Sequence, residues 1–134
     1  MQEIQVGSHR VADEGDSMAS IEFGGSPDEL EMDEIMSHLV RMRAGGATYI
    51  LIDFSRVDTL SAEARRVIGE RSRDVDVKAL AMYGASFHLR VIAKLVNAAI
   101  AMFKKDAVAQ EFFSQREEAV AWLQSRRAAA GGEE

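Results

Sequence analysis

The chain has no cysteine. Disulfide staples, thiolate metal sites and cysteine nucleophiles are therefore excluded. No apolar run reaches the ~18–20 residues that a membrane span needs, so no transmembrane segment is expected. The N-terminal residues are polar and carry no apolar signal-peptide core, so secretion is not expected and the cytoplasm is the expected location. Basic charge is in short supply: 16 Lys and Arg stand against 22 Asp and Glu, a net charge of −6. A general nucleic-acid binder needs a basic face to neutralise phosphates, so nucleic acid is not an expected partner.

Catalytic and cofactor signatures are missing as well. His9, His38 and His88 show no metal-ligand spacing such as His-x-x-x-His. There is no Gly-x-Ser-x-Gly elbow, no phosphate-loop Gly-Lys-Ser/Thr string and no dinucleotide Gly-x-Gly-x-x-Gly. Asp53 and Asp58 could form a carboxylate pair, but acids at a strand end more often shape turns and cap helices. No enzyme activity, cofactor or metal is expected.

What is present describes one folded domain. The 134 residues are 47% hydrophobic and 28% charged, a globular composition at single-domain length. Residues 1–127 are expected to form that domain and 128–134 a frayed tail. Ile4 to Ala12 alternates loosely and reads as a first strand. Asp13 to Asp16 reads as a turn. Met18 to Phe23 alternates with period two, placing Ile21 and Phe23 on one face. These segments predict an antiparallel hairpin.

Ser26-Pro27-Asp28-Glu29 predicts a helix start with Ser26 as its N-cap, and Gly45-Gly46 its end. Thr48 to Phe54 is a short apolar run bounded by turn residues, as a buried parallel strand is. A helix is expected over Ser61–Arg73, a strand over Val75–Tyr83, and a helix from Gly84 or Ser86 to about Lys104. Val108–Phe113 predicts the last strand, and Ser114-Gln-Arg-Glu117 a capping box opening a helix that closes near Arg126-Arg127. The order β-β-α-β-α-β-α-β-α implies an α/β fold: one mixed sheet of about five strands, an antiparallel N-terminal hairpin plus parallel βαβ units, with about four helices.

Three strings carry a resemblance. They are Ile50-Leu-Ile-Asp-Phe-Ser-Arg-Val57 followed by Leu60-Ser-Ala-Glu-Ala-Arg65, then Ala79-Leu-Ala-Met-Tyr-Gly84 running into an apolar helix, then Phe112-Phe-Ser-Gln-Arg-Glu-Glu-Ala-Val-Ala-Trp-Leu123. Together, over roughly Met18 to Arg126, they resemble the STAS superfamily. The resemblance is to its SpoIIAA-like branch, which shares features with SEC14/CRAL-TRIO lipid-binding domains. It implies a STAS-like fold and a non-catalytic regulatory module, binding a bacterial signalling protein as anti-sigma-factor antagonists do. It implies as an alternative a SEC14-like carrier of a lipid or small apolar ligand. Those antagonists carry a phosphorylatable serine in an Asp-Ser-Ser-Gly string. Here Ser61-Ala62-Glu63-Ala64 stands at about that place. The pattern is absent, so Ser61 or Thr59 would have to serve, or Glu63 would hold a standing charge.

Three places are candidates for function. Ser55, Arg56, Asp58, Thr59 and Ser61 form a polar turn at a strand's carboxyl end, before a helix N-terminus that favours anions. Asp58, Thr59 or Ser61 could instead simply cap the helix. Ser86, His88 and Arg90 follow the next parallel strand and are expected beside that turn. The third place is the helix Val91 to Phe103, whose polar side chains are Lys94 and Asn97 alone. That leaves more apolar circumference than a surface helix needs. Ile92, Leu95, Val96, Ala99, Ile100 and Phe103 are its candidate face. The face could lie inside the domain, meet a partner protein or a second copy in a homodimer, or hold a lipid or apolar ligand.

Overall fold

The computed structural model describes residues 2–44, 46–102 and 108–132. Gly45, Phe103, Lys104 and the last two residues of the expected tail lie outside them. One six-stranded sheet is built in sequence order from β1 (Gln2–Val6), β2 (His9–Gly15), β3 (Met18–Glu22), β4 (Ala47–Asp53), β5 (Asp76–Tyr83) and β6 (Ala109–Phe113). β1–β2 and β2–β3 are antiparallel, and β3–β4, β4–β5 and β5–β6 are parallel. The helices are α1 (Glu29–Met42), α2 (Ala62–Arg71), α3 (Phe87–Ala101) and α4 (Arg116–Gly132).

The sheet has six strands where the sequence predicts about five. The segment expected as one strand over Ile4–Ala12 folds back on itself at Gly7-Ser8, and Val6 pairs with His9. Gly7 has φ +58°, and a glycine first in a two-residue hairpin loop is the pattern that matches strand twist. The next turn places Asp16 and Ser17 at φ 53° and 67°, the paired positive φ values of the other favoured hairpin turn. The α1 cap also differs. Asp28, not Ser26, is the N-cap: its side chain accepts from the Glu31 amide at 2.7 Å, and Glu31 accepts from the Asp28 amide at 3.0 Å. At α4 the displacement is one residue, with Glu118 accepting from the Gln115 amide at 3.2 Å.

Period-two alternation sorts the strands between two faces. Val11, Ala19, Ile21, Phe23, Ile50 and Met82 pack under α1, α2 and α3. Tyr49, Leu51, Ala79 and Ala81 pack under α4 alone. Beyond the reach of α4 the second face turns polar. Arg10 there reaches Glu3 at 2.8 Å and Glu22 at 3.2 Å, and its hydrogen bond holds the Glu3 carboxyl below the usual carboxylate range. α1 and α2 are tied at the surface by Arg66–Glu29 and Arg71–Asp33, the latter at 2.8 Å. His9 is a polar member of the core, 1% exposed. Its Nδ1 accepts from the Gly24 amide at 3.1 Å and its Nε2 lies 3.4 Å from Glu31 Oε1.

Within α2, Gly69 has open space where a Cβ would stand. Gly69→Ala is therefore expected to raise the unfolding free energy by about 0.8 kcal/mol through helix propensity, read as a higher urea midpoint with an unchanged slope.

Candidate functional site

The first polar turn is held from below and from one side. Phe54, Val57 and Leu60 are 4–6% exposed and anchor it in the core, leaving Ser55, Arg56, Asp58 and Thr59 exposed. Asp53 Oδ1 accepts from the Ser55 amide at 2.8 Å and the Ser55 hydroxyl at 2.6 Å, an Asx-type turn that redirects the chain after β4. Ser26 Oγ accepts from the amides of Asp58 and Thr59 at 3.0 and 3.3 Å. Ser26 thus fixes the loop rather than capping α1. Ser61 caps α2, accepting from the Ala64 amide at 3.0 Å.

The second turn follows β5. Its Gly84 has φ +75°, and a Cβ there would lie 2.8 Å from Ser55 Cβ and 3.0 Å from Ser55 Cα. The two turns touch, and a glycine permits it. Ser86 caps α3, accepting from the Leu89 amide at 3.2 Å. In the first turn of α3, His88 Nε2 meets Thr59 Oγ1 at 3.0 Å. Ser55, Thr59, Gly84 and His88 are therefore brought together at the carboxyl ends of two parallel strands, where open α/β sheets place their ligands. Arg90 is not part of this group. It lies over the Phe112 ring of β6, 5.8 Å from the centroid. On the opposite face at the same strand ends, burial first, and the Asp53 carboxylate second, push the Tyr83 phenol above its ordinary value, so it is a neutral hydrogen-bonding group at physiological pH.

α3 divides the candidate apolar face in two. Ile92 is 7% exposed and belongs to the core. Val96 and Ile100 border a cavity of about 110 Å³ between the sheet and the three helices. Leu95, 61% exposed, and Ala99 face outward. Apart from Ser72, Asn97 and Gln110, every residue lining the cavity is apolar. The Ser72 hydroxyl donates to the Ile68 carbonyl, and Gln110 Nε2 donates to the Ala93 carbonyl at 3.4 Å. Among the described residues no group of three His, Asp or Glu side chains could hold a metal ion, and no helix is long and apolar enough to cross a membrane.

Sequence reasoning missed Ser26, because its bonds to the turn span 32 and 33 residues and a Ser before Pro-Asp-Glu reads locally as a cap. It missed Phe87, which is 82% exposed beside the paired turns. The cavity walls from Ile52 and Leu80 had no signal of their own, since a void-lining residue and a packed one look alike in sequence.

Several known proteins are similar to this chain. A family model described as Domain of unknown function (DUF7793) matches residues 28–127. No curated protein matches. Among solved structures, an uncharacterised DUF3478-family protein with a SpoIIAA-like fold from Shewanella loihica PV-4 is similar at 18% identity. That match covers 84% of this chain and 89% of that one, with a TM-score of 0.60. The anti-sigma factor antagonist SpoIIAA in its unphosphorylated form is similar at 13% identity, over 87% of this chain and 96% of that one, with a TM-score of 0.62. Likeness at these identities concerns the fold, and it agrees with the antiparallel-then-parallel sheet and four helices found here. By the match over residues 28–127 the chain belongs to the DUF7793 family, and its fold is SpoIIAA-like.

Proposed function

We propose that this protein is a non-catalytic, cytoplasmic regulatory module that binds another protein through its paired polar turns. The observation that carries this is the Thr59–His88 contact at 3.0 Å between exposed side chains. It joins two turns whose backbones are each fixed by caps and buried anchors. A rigid, exposed polar patch on strand ends is suited to recognition, because little conformational entropy is lost on binding. SpoIIAA, an anti-sigma factor antagonist on a similar fold, lends the class of partner: a bacterial signalling protein.

Phosphorylation at Thr59 or Ser61 would tune that surface. Each hydroxyl stands next to the α2 N-terminus, where the helix dipole favours added negative charge. The test begins with a photo-crosslinker at Arg56 in cells, followed by identification of the captured protein by mass spectrometry. Thr59→Asp and Ser61→Asp are then expected to change affinity for that protein by roughly tenfold, a shift of about 1.4 kcal/mol. Ser61→Ala serves as the structural control and is expected to cost about 1 kcal/mol of stability through the lost cap. Affinity unchanged in both aspartate variants removes the turns from the interface.

The cavity favours a second reading, a carrier or sensor of a small apolar ligand. Its volume of about 110 Å³ approaches that of apolar cavities known to take a single aromatic ring, ~150 Å³. Ala93→Leu places three more carbons into this space from α3. If the ligand is carried, native mass spectrometry of the wild type shows an extra mass that denaturation releases and Ala93→Leu lacks. If the space is empty, the wild type flies bare and Ala93→Leu is more stable by about 1 kcal/mol.

A further inference from the structure

The outward side of α3 carries its large apolar side chains in one file. Phe87 and Met102 are each 82% exposed, Leu95 61% and Val91 41%. With exposed Ala98, they fall within an arc of about 80° and run about 22 Å along the axis at 1.5 Å per residue. Scattered surface hydrophobes need no explanation, but a contiguous file does. The rows beside it are basic or neutral. Arg90 and Lys94 lie on the β6 side, over the Phe112 ring at 5.8 and 5.9 Å. His88 lies on the α2 side.

From Gly84 to Met102 there is no Asp or Glu, in a chain that has 22. The acids gather elsewhere. Glu29, Glu31, Asp33 and Glu34 are on α1, which packs on α2, while α2 in turn packs on α3. Glu3, Glu14 and Glu22 surround Arg10 on the other face of the sheet.

The charge pattern selects among occupants. An antiparallel two-fold contact through this helix would bring the Arg90 and Lys94 rows of two copies together, which like charge opposes. A partner helix is ordinarily received in a groove, whereas the side chains of this file are exposed. An anionic bilayer answers both features. Its boundary between headgroups and acyl chains accepts protruding Phe, Leu and Met, and its phosphates meet the flanking cations. We propose that α3 is a membrane-surface contact. Phe87, Val91, Leu95 and Met102 enter the headgroup region of an anionic bilayer, Arg90 and Lys94 engage lipid phosphates, and the helix lies in the membrane plane. The file starts beside the paired turns, so docking would present the protein-binding surface at the bilayer edge.

The test is co-sedimentation of the full chain with phosphatidylcholine vesicles, with and without phosphatidylglycerol. Binding is expected to require phosphatidylglycerol and to weaken with salt. Leu95→Glu is expected to reduce it at least tenfold, and each of Arg90→Ala and Lys94→Ala about fivefold. Leu30→Glu, at an 81% exposed site on α1, is the matched control and is expected to leave binding unchanged. Circular dichroism checks that each variant is folded. Absence of binding to phosphatidylglycerol vesicles overturns the proposal, as does an equal loss in Leu95→Glu and Leu30→Glu. A dimer in solution that Leu95→Glu splits, with no vesicle binding, overturns it in favour of a second copy.

Discussion

Replacing Gly84 by alanine is expected to lower the unfolding free energy by about 3 kcal/mol and to abolish recognition at the paired turns. Two costs add. An L-residue held at φ +75° loses roughly 1–2 kcal/mol in the left-handed region. The new Cβ would stand 2.8 Å from Ser55 Cβ and 3.0 Å from Ser55 Cα, and relieving such an overlap costs roughly another 1–3 kcal/mol. What must move is backbone, because the Ser55 amide lies 3.1 Å from the same point. Movement there opens the gap that Thr59 and His88 bridge. Urea denaturation gives the stability and partner titration the binding. Gly25→Ala is the comparison: a Cβ at Gly25 meets nothing within 4 Å, so a change within about 0.5 kcal/mol is expected. Adding Ser55→Gly to Gly84→Ala removes the nearest of the three clashing atoms and should recover part of the loss. Two glycine variants of equal stability would mean that the turns do not pack as described.

Much of this arrangement could be read in advance where the physics is local. The apolar run ending at Asp53 marked β4, and Ser61 and Ser86 marked the starts of α2 and α3, because a cap acts over three residues. Adjacent parallel strands then set the turn of Ser86, His88 and Arg90 beside the first turn, although Arg90 lies instead over Phe112. The N-terminal sheet was harder. Val6 and Val11 both point to the core, and the polar His9 between them is buried there too, so alternation gave no sign of the reversal at Gly7-Ser8. Ser26 acts on residues more than thirty positions away, beyond any local pattern. In α3 both the inner and the outer side are apolar. Periodicity could count the excess but could not decide that Val96 and Ile100 face the cavity while Leu95 faces out.

The two faces of the sheet differ in how they are packed, and Leu123→Ala puts a number on the difference. This substitution is expected to cost about 3 kcal/mol or more, towards the upper end for a buried leucine. Leu123 is fully buried, against a floor that includes Ala79 and Ala81. Alanines on the strands and Ala119 on the helix let α4 sit close to β4 and β5. The alanine side chains beside Leu123 are too short to reach into the space it would leave, and a cavity that collapses poorly is the costly kind. Among the described residues α4 packs on the sheet and on no other helix at this face, so the loss falls on a single layer. On the other face, Val96→Ala is expected to cost about 1 kcal/mol or less, because Val96 is half-buried and already borders empty space. Urea midpoints for the two variants test the contrast directly. A cost below about 1 kcal/mol for Leu123→Ala would mean that α4 is not docked in solution. With the contrast upheld, the α4 face is the rigid platform. The α1–α3 face, which holds the cavity, the paired turns and the exposed file of α3, is the side left free to respond to what it binds.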